Sequence, residues 1–181
     1  MSAQAHSYVA LLRGINVGSA NRITMVDLRS VFENLGYADV TTLLQSGNVV
    51  FTSRRTLGPS ATIALEDELA STTGVRARIL VLDAKRFLDI ARANPLVPIA
   101  DNDSLLVVTF LGGPVPASVT VPTGIEPEVL EVGEDAIYQW CPHGVSKSVV
   151  PPKFFASLGP QATARNWRTV TKIAALLGET L

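Results

Sequence analysis

Short apolar runs alternate with amphipathic stretches in one order over the first 83 residues, and that order narrows the fold more than any single motif. Residues 8–12 are apolar and rich in β-formers, which predicts a strand. Thr24 stands as an N-cap with Asp27 three residues on. Met25, Leu28, Phe32 and Leu35 then mark one helical face, which Gly36 ends. Residues 40–44 and 48–52 predict two strands joined at Gln45, Ser46 and Gly47. Pro59 and Ser60 open a second helix carrying Ala61, Leu65 and Leu69, and Gly74 closes it. Residues 76–82 alternate and predict a fourth strand. The sum is βαββαβ, the ferredoxin-like unit.

The second half is less regular. Asp83 caps a short expected helix over 84–93, which Asn94 and Pro95 stop, and residues 98–103 read as linker. Residues 105–111 predict a strongly apolar strand, and 112–124, rich in Pro and Gly, predict mostly loop. A hairpin is expected over 129–132 and 136–140 around Gly133 and Glu134. Two helices, over 149–158 and 166–177, complete the chain. The expected fold class is α+β: two ferredoxin-like subdomains, the second degenerate, packed as one compact unit. The expected boundaries are 1–83, a connecting helix and linker over 84–103, and 104–181.

Composition limits the function classes. With 181 residues, 47% hydrophobic and 17% charged, the chain has the material for a folded core without disulfides or metal. Its one cysteine, Cys141, excludes an internal disulfide. No signal-peptide pattern and no bilayer-length apolar run is visible, so a cytoplasmic protein with no membrane partner is expected. A formal net charge of −1 argues against a general nucleic-acid binder.

The charge is unevenly spread. Residues 1–26 hold no Asp or Glu but carry Arg13 and Arg22. Residues 136–178 again hold none, but carry Lys147, Lys153, Arg165, Arg168 and Lys172. Two basic segments in a nearly neutral chain predict one shared anion site. In the first, Arg13, Gly14, Asn16 and Gly18 form a glycine-containing turn between strand and helix, able to aim backbone N–H groups at a phosphate. The spacing fits neither the Walker nor the dinucleotide fingerprint, so a plain tight turn remains the alternative reading. In the second, Ser148 and Asn166 are expected N-caps with Lys147, Arg165 and Arg168 beside them. Cations at a helix start cost about 0.3–1 kcal/mol each against the macrodipole, unless an anion binds or solvent screens them.

Further candidates are Lys172, four residues after Arg168, and Trp167, able either to stack on a planar ligand or to join the core. Gln45, Ser46 and Asn48 are neutral hydrogen-bonders that matter if the fold sets them beside Arg13. Cys141 and His143 lack the further ligands a metal site needs, so no metal and no cofactor is expected. Residues 126–135 hold five acids and no base, which reads as the solvated surface of a hairpin. Tyr8 and Phe51 on the first and third strands raise the alternative of a single-stranded RNA platform, though the closely spaced stacking aromatics are missing.

At these residues the chain resembles a bacterial family, domain-of-unknown-function family 1697. The resemblance lies in Tyr8-Val9-Ala10-Leu11-Leu12-Arg13-Gly14-Ile15-Asn16-Val17-Gly18, in Met25 with Leu28 and Arg29, and in Gln45-Ser46-Gly47-Asn48-Val49-Val50-Phe51. It continues in Asn94-Pro95, Ser146-Lys147 and Thr163-Ala164-Arg165-Asn166-Trp167, with Thr169, Val170 and Lys172. Ser19 stands where the family often has glycine, and Ala164 and Arg168 where it often has Thr and Asn. The resemblance implies two α/β subdomains. It implies no activity, substrate or catalytic residue.

The functional expectation is an anionic, phosphate-bearing small ligand in a cleft between subdomains, bound by Arg13, Lys147 and Arg165 with help from backbone amides. Asn16, Asn48 and Asn166 would orient ligand or loop. A nucleic-acid module using the same basic surface is the alternative, and a scaffold that binds a protein partner and no ligand is the third reading. No residue pair stands out as a nucleophile or general base, so catalysis is left open.

Overall fold

The computed structural model describes residues 5–19 and 21–181. Among them are eight strands and five α-helices, in two units that meet within one helix, between Phe87 and Leu88.

The first unit runs β1 (His6–Arg13), α1 (Met25–Asn34), β2 (Ala38–Leu43), β3 (Asn48–Ser53), α2 (Pro59–Thr73) and β4 (Arg78–Asp83), followed by α3 (Ala84–Arg92). The strands form one antiparallel sheet in the order β2-β3-β1-β4. The expected βαββαβ order is the observed one. Thr24 caps α1 as its spacing predicts: its Oγ1 accepts from the Asp27 amide at 3.0 Å and donates to Asp27 Oδ2 at 2.7 Å.

Period-2 alternation decides which β1 side chains meet the helices. Tyr8, Ala10 and Leu12 share a face with Val49, Phe51 and Ile79, under Leu28, Val31 and Phe32 of α1 and Leu65 and Leu69 of α2. Phe51 lies 5.0 Å from Phe32, 4.8 Å from Tyr37 and 5.6 Å from Tyr8, ring centroid to ring centroid. Both Tyr8 and Phe51 are therefore core residues on the helix side. They offer no base-stacking platform, which removes the observation behind the RNA reading. The opposite face carries Val9, Leu11, Leu80 and Leu82, all buried, so the sheet is apolar on both sides.

The second unit contains β5 (Leu106–Phe110), β6 (Val129–Val132), β7 (Ala136–Trp140), α4 (Pro152–Ser157), β8 (Thr163–Asn166) and α5 (Trp167–Leu176). Its order, β6-β7-β5-β8, repeats that of the first unit strand for strand. The copy is degenerate where expected: no helix or strand occupies residues 112–124, in the position of α1. One sheet face packs Leu130 and Ile137 against Phe154 and Leu158 of α4. On the other, Tyr138 donates its hydroxyl to the Ile90 carbonyl at 2.7 Å.

Three expectations fail here. The helix expected over 149–158 starts only at Pro152, and Ser148 is not its N-cap; Ser148 instead ends a 3-10 turn, Val145–Lys147. Consecutive prolines are the cause. Each drives the residue before it out of the helical region, so nothing before Pro152 can join, whereas Pro152 itself suits the first helical turn. Strand β8 was not expected, because its four residues show no apolar alternation. Its pairing with the wholly buried β5 creates it. The acidic run of 126–135 is not all solvated: Glu128 is only 7% exposed.

Candidate functional site

In the first unit, β1 ends at Arg13 and the chain enters a loop whose φ angles change sign residue by residue. Gly14 (79°), Asn16 (54°) and Gly18 (61°) are left-handed, whereas Ile15 and Val17 between them are not. A Cβ at Gly14 or Gly18 would meet nothing within 4 Å, so backbone conformation and not packing asks for glycine there. Such alternation turns successive N–H groups toward one side and makes an anion-binding concavity. The Asn16 amide is committed to the Asn21 carbonyl at 2.9 Å, but those of Ile15, Val17 and Gly18 make no hydrogen bond among the described residues.

Asn16 fixes this loop in place. Its Oδ1 accepts from the Ile23 amide at 2.9 Å, while its Nδ2 donates to the Ile23 carbonyl at 3.1 Å and the Gln45 carbonyl at 2.8 Å. Asn21 Nδ2 adds a bond to the Gly14 carbonyl at 3.1 Å. The neighbouring turn is closed by Asn48, fully buried, whose Nδ2 donates to the Leu43 carbonyl at 2.7 Å and Ser46 Oγ at 3.1 Å. The Leu12 amide donates to the Gly47 carbonyl at 2.8 Å. The fold thus gathers Arg13, Gly14, Asn16, Gly18, Gln45, Ser46 and Asn48 at one end of the first sheet. Asn16 and Asn48 act there as loop clamps. Sequence reasoning passed over Arg78, which stands directly opposite Arg13 in the β1–β4 register and is paired with Glu66 at 3.0 Å. Like charges facing across a ladder oppose each other, and Glu66 is the negative group that offsets Arg78 here.

In the second unit, Trp140 pairs with Leu106 and Asn166 with Val107, so β7 and β8 end where β5 begins. Arg165, Asn166 and Trp167 stand at that end, and the segment bearing Lys147 leaves from it. The details differ from expectation. Lys147 closes a 3-10 turn, where a cation is favourable, so it is not a charge misplaced at a helix start. Asn166 does cap α5, its Oδ1 accepting from the Thr169 amide at 3.0 Å, and the Arg168 amide donates to the Asp103 carbonyl at 3.2 Å. Those two amides of the helix start are already used, so this end is a poorer anion cradle than the sequence suggested. Trp167 is 6% exposed, which gives its ring to the core. Lys172 is exposed, one turn beyond Arg168. Burial brings the Arg165 guanidinium down to about 10, and its Nη1 donates to the Ala164 carbonyl at 2.8 Å.

A second polar centre lies in this unit, one that sequence reasoning missed. The buried Glu128 carboxylate accepts from Gln139 Nε2 at 2.7 Å, Ser148 Oγ at 2.9 Å and the Val149 amide at 2.6 Å. Cys141 Sγ lies 3.8 Å from it, and burial, followed by the Glu128 charge, pushes that thiol up to about 12. A thiol held protonated in this way is a weak nucleophile. The available signal was a glutamine in the middle of an otherwise apolar strand, which must find a buried partner.

The repeated strand order defines a protein of two ferredoxin-like α+β units. This chain belongs to the family described as "Protein of unknown function (DUF1697)", which matches residues 5–138. The match takes in the whole of the first unit's loop and turn and stops short of Lys147 and Arg165. A solved structure, described as the conserved bacterial protein SP0830 from Streptococcus pneumoniae, is similar with a TM-score of 0.68 at 22% identity, over 96% of this chain and 99% of that one. That likeness is one of fold. No curated protein matches the chain. Among the described residues no helix is long and apolar enough to cross a membrane.

Proposed function

We propose that this protein binds a small anionic ligand, phosphate-bearing, at the 14–18 loop of its first unit. The observation that carries the reading is the alternating sign of φ from Gly14 to Gly18, which leaves the Ile15, Val17 and Gly18 amides uncommitted beside Arg13. Amides donate to phosphate oxygens, and a planar guanidinium adds a charge-assisted, bidentate contact. Arg165, near the end of β8 where β5 begins, is the corresponding candidate in the second unit.

The test is a thermal-shift and calorimetric titration of the native chain with inorganic phosphate and with nucleoside mono- and diphosphates. A ligand present at about a hundred times its Kd stabilises by about 2.7 kcal/mol, roughly 5–10 °C for a chain of this length. Arg13→Ala should abolish the shift. Absence of any shift across the panel overturns the reading. If instead single-stranded oligonucleotides bind, and do so with steep salt dependence, the basic surface serves nucleic acid.

A further inference from the structure

A groove of about 440 Å³ lies on the first unit, between α2 and the chain entering β4. One wall is Ile63, Glu66 and Asp67; the other is Arg76, Ala77 and Arg78. Ile63 and Asp67 are one helical turn apart and share a face of α2. Glu66 is fully engaged, accepting from Arg78 Nη1 at 3.0 Å and from the Ile79 amide at 2.9 Å, and so ties the two walls together. Asp67 and Arg76 are different. They line opposite walls, both exposed, and among the described residues neither side chain makes a hydrogen bond or an ion pair, even with the other. On the Asp67 wall Ile63 is 61% exposed, an apolar surface left in water.

We infer that this groove binds a small zwitterion with an aliphatic body, of the size of a dipeptide with both termini free. Its ammonium meets Asp67, its carboxylate meets Arg76, and its side chain covers Ile63 and Ala77. The volume sits in the lower part of the range of roughly 300–1,000 Å³ that small-molecule sites occupy. A carboxylate on a guanidinium and an ammonium on a carboxylate are charge-assisted contacts of opposite polarity, so the two walls of the groove fix the direction in which the ligand lies. Arg78 lines this groove and also faces Arg13 across the β1–β4 ladder, whereas Asp67, Arg76 and Ile63 have no part in the 14–18 loop.

The probe is leucyl-alanine, titrated into the native chain and followed by amide chemical shifts. Saturable shifts are expected at Ile63, Arg76 and Ala77. N-acetyl-leucyl-alanine and leucyl-alaninamide, each lacking one charge, should bind at least about tenfold more weakly. Asp67→Asn should weaken the free dipeptide to the same degree but leave the acetylated one unchanged, and Arg76→Ala should do the same for the amidated one. No saturable shift with leucyl-alanine overturns the inference. So does an equal response to free and blocked dipeptides, which marks nonspecific apolar contact, and this comparison needs no variant to fold.

Discussion

The side-chain amide of Asn16 donates to the carbonyl of Gln45 at 2.8 Å, joining the loop after β1 to a turn 29 residues further on. The same side chain holds both backbone groups of Ile23. One asparagine therefore sets the shape of the loop and its distance from the β2–β3 turn. Asn16→Ala should lose about 1–3 kcal/mol in urea unfolding, the cost of leaving such groups unpaired. Asn16→Asp keeps the acceptor for the Ile23 amide and loses the donors. It also brings a negative charge into the loop, so phosphate binding should fall further than stability does. Equal losses in both assays would mean that Asn16 has no bearing on the charge of the site.

Gly47 is the glycine whose replacement should cost most. Its φ is +80°, and an added Cβ would lie 2.6 Å from Ile15 Cδ1 and 2.9 Å from Leu12 Cβ. Gly18 has φ +61° and open space around it. Gly18→Ala should cost about 1–2 kcal/mol, the left-handed penalty alone. Gly47→Ala adds overpacking of about 1–3 kcal/mol on a strand residue whose amide also bonds the Gly47 carbonyl. Equilibrium unfolding of the two variants, side by side, checks the order.

How far the sequence could be read depended on whether the deciding interactions were local. Thr24 with Asp27, and Asn166 with Thr169, are contacts three residues apart, and both caps were legible from spacing. The first-unit strands announce themselves by apolar runs and alternation. Strand β8 does not, because Thr163, Ala164, Arg165 and Asn166 take their extended form from pairing with β5, more than 50 residues earlier. Lys147 was misjudged for a related reason: Pro151 and Pro152 delay α4, and this changes which backbone dipole the lysine faces. Glu128 was hidden among exposed acids, since only the tertiary fold sets Gln139 and Ser148 against it. In the 14–18 loop the residue types were readable, but the sign of φ at Asn16 was not.

Glu128 should be the most sensitive acid in the chain. Glu128→Ala leaves Gln139 Nε2, buried, and the Val149 amide, half-buried, without the acceptor they share. Each such orphaned donor costs about 1–3 kcal/mol, so a loss of about 3 kcal/mol or more is expected. Glu131→Ala, on an exposed position of the same hairpin, should stay within about 0.5 kcal/mol of the native chain. Guanidinium unfolding of the pair measures the difference. A small loss in Glu128→Ala would show that the segment from Cys141 to Val149 is held by its packing alone.

Cys141 predicts an alkaline signature. Its thiol is raised in the folded chain to about 12, above the ordinary value of an exposed thiol, by burial first and by the Glu128 charge second. A raised folded-state value means that the native chain keeps a proton which the unfolded chain releases. The resulting contribution to stability is present in full below the unfolded thiol's pKa, and it is lost as pH rises from there through about 12. Cys141→Ala removes this titration. Its stability should therefore fall less steeply than that of the native chain above about pH 9, while the shared effect of Tyr138, raised to about 12 by burial and Asp135, stays in both. Thiol reagents should modify native Cys141 slowly at pH 8, and Glu128→Gln should speed the reaction by lowering the thiol toward its usual range. Parallel pH dependences in the native chain and Cys141→Ala would refute the assignment.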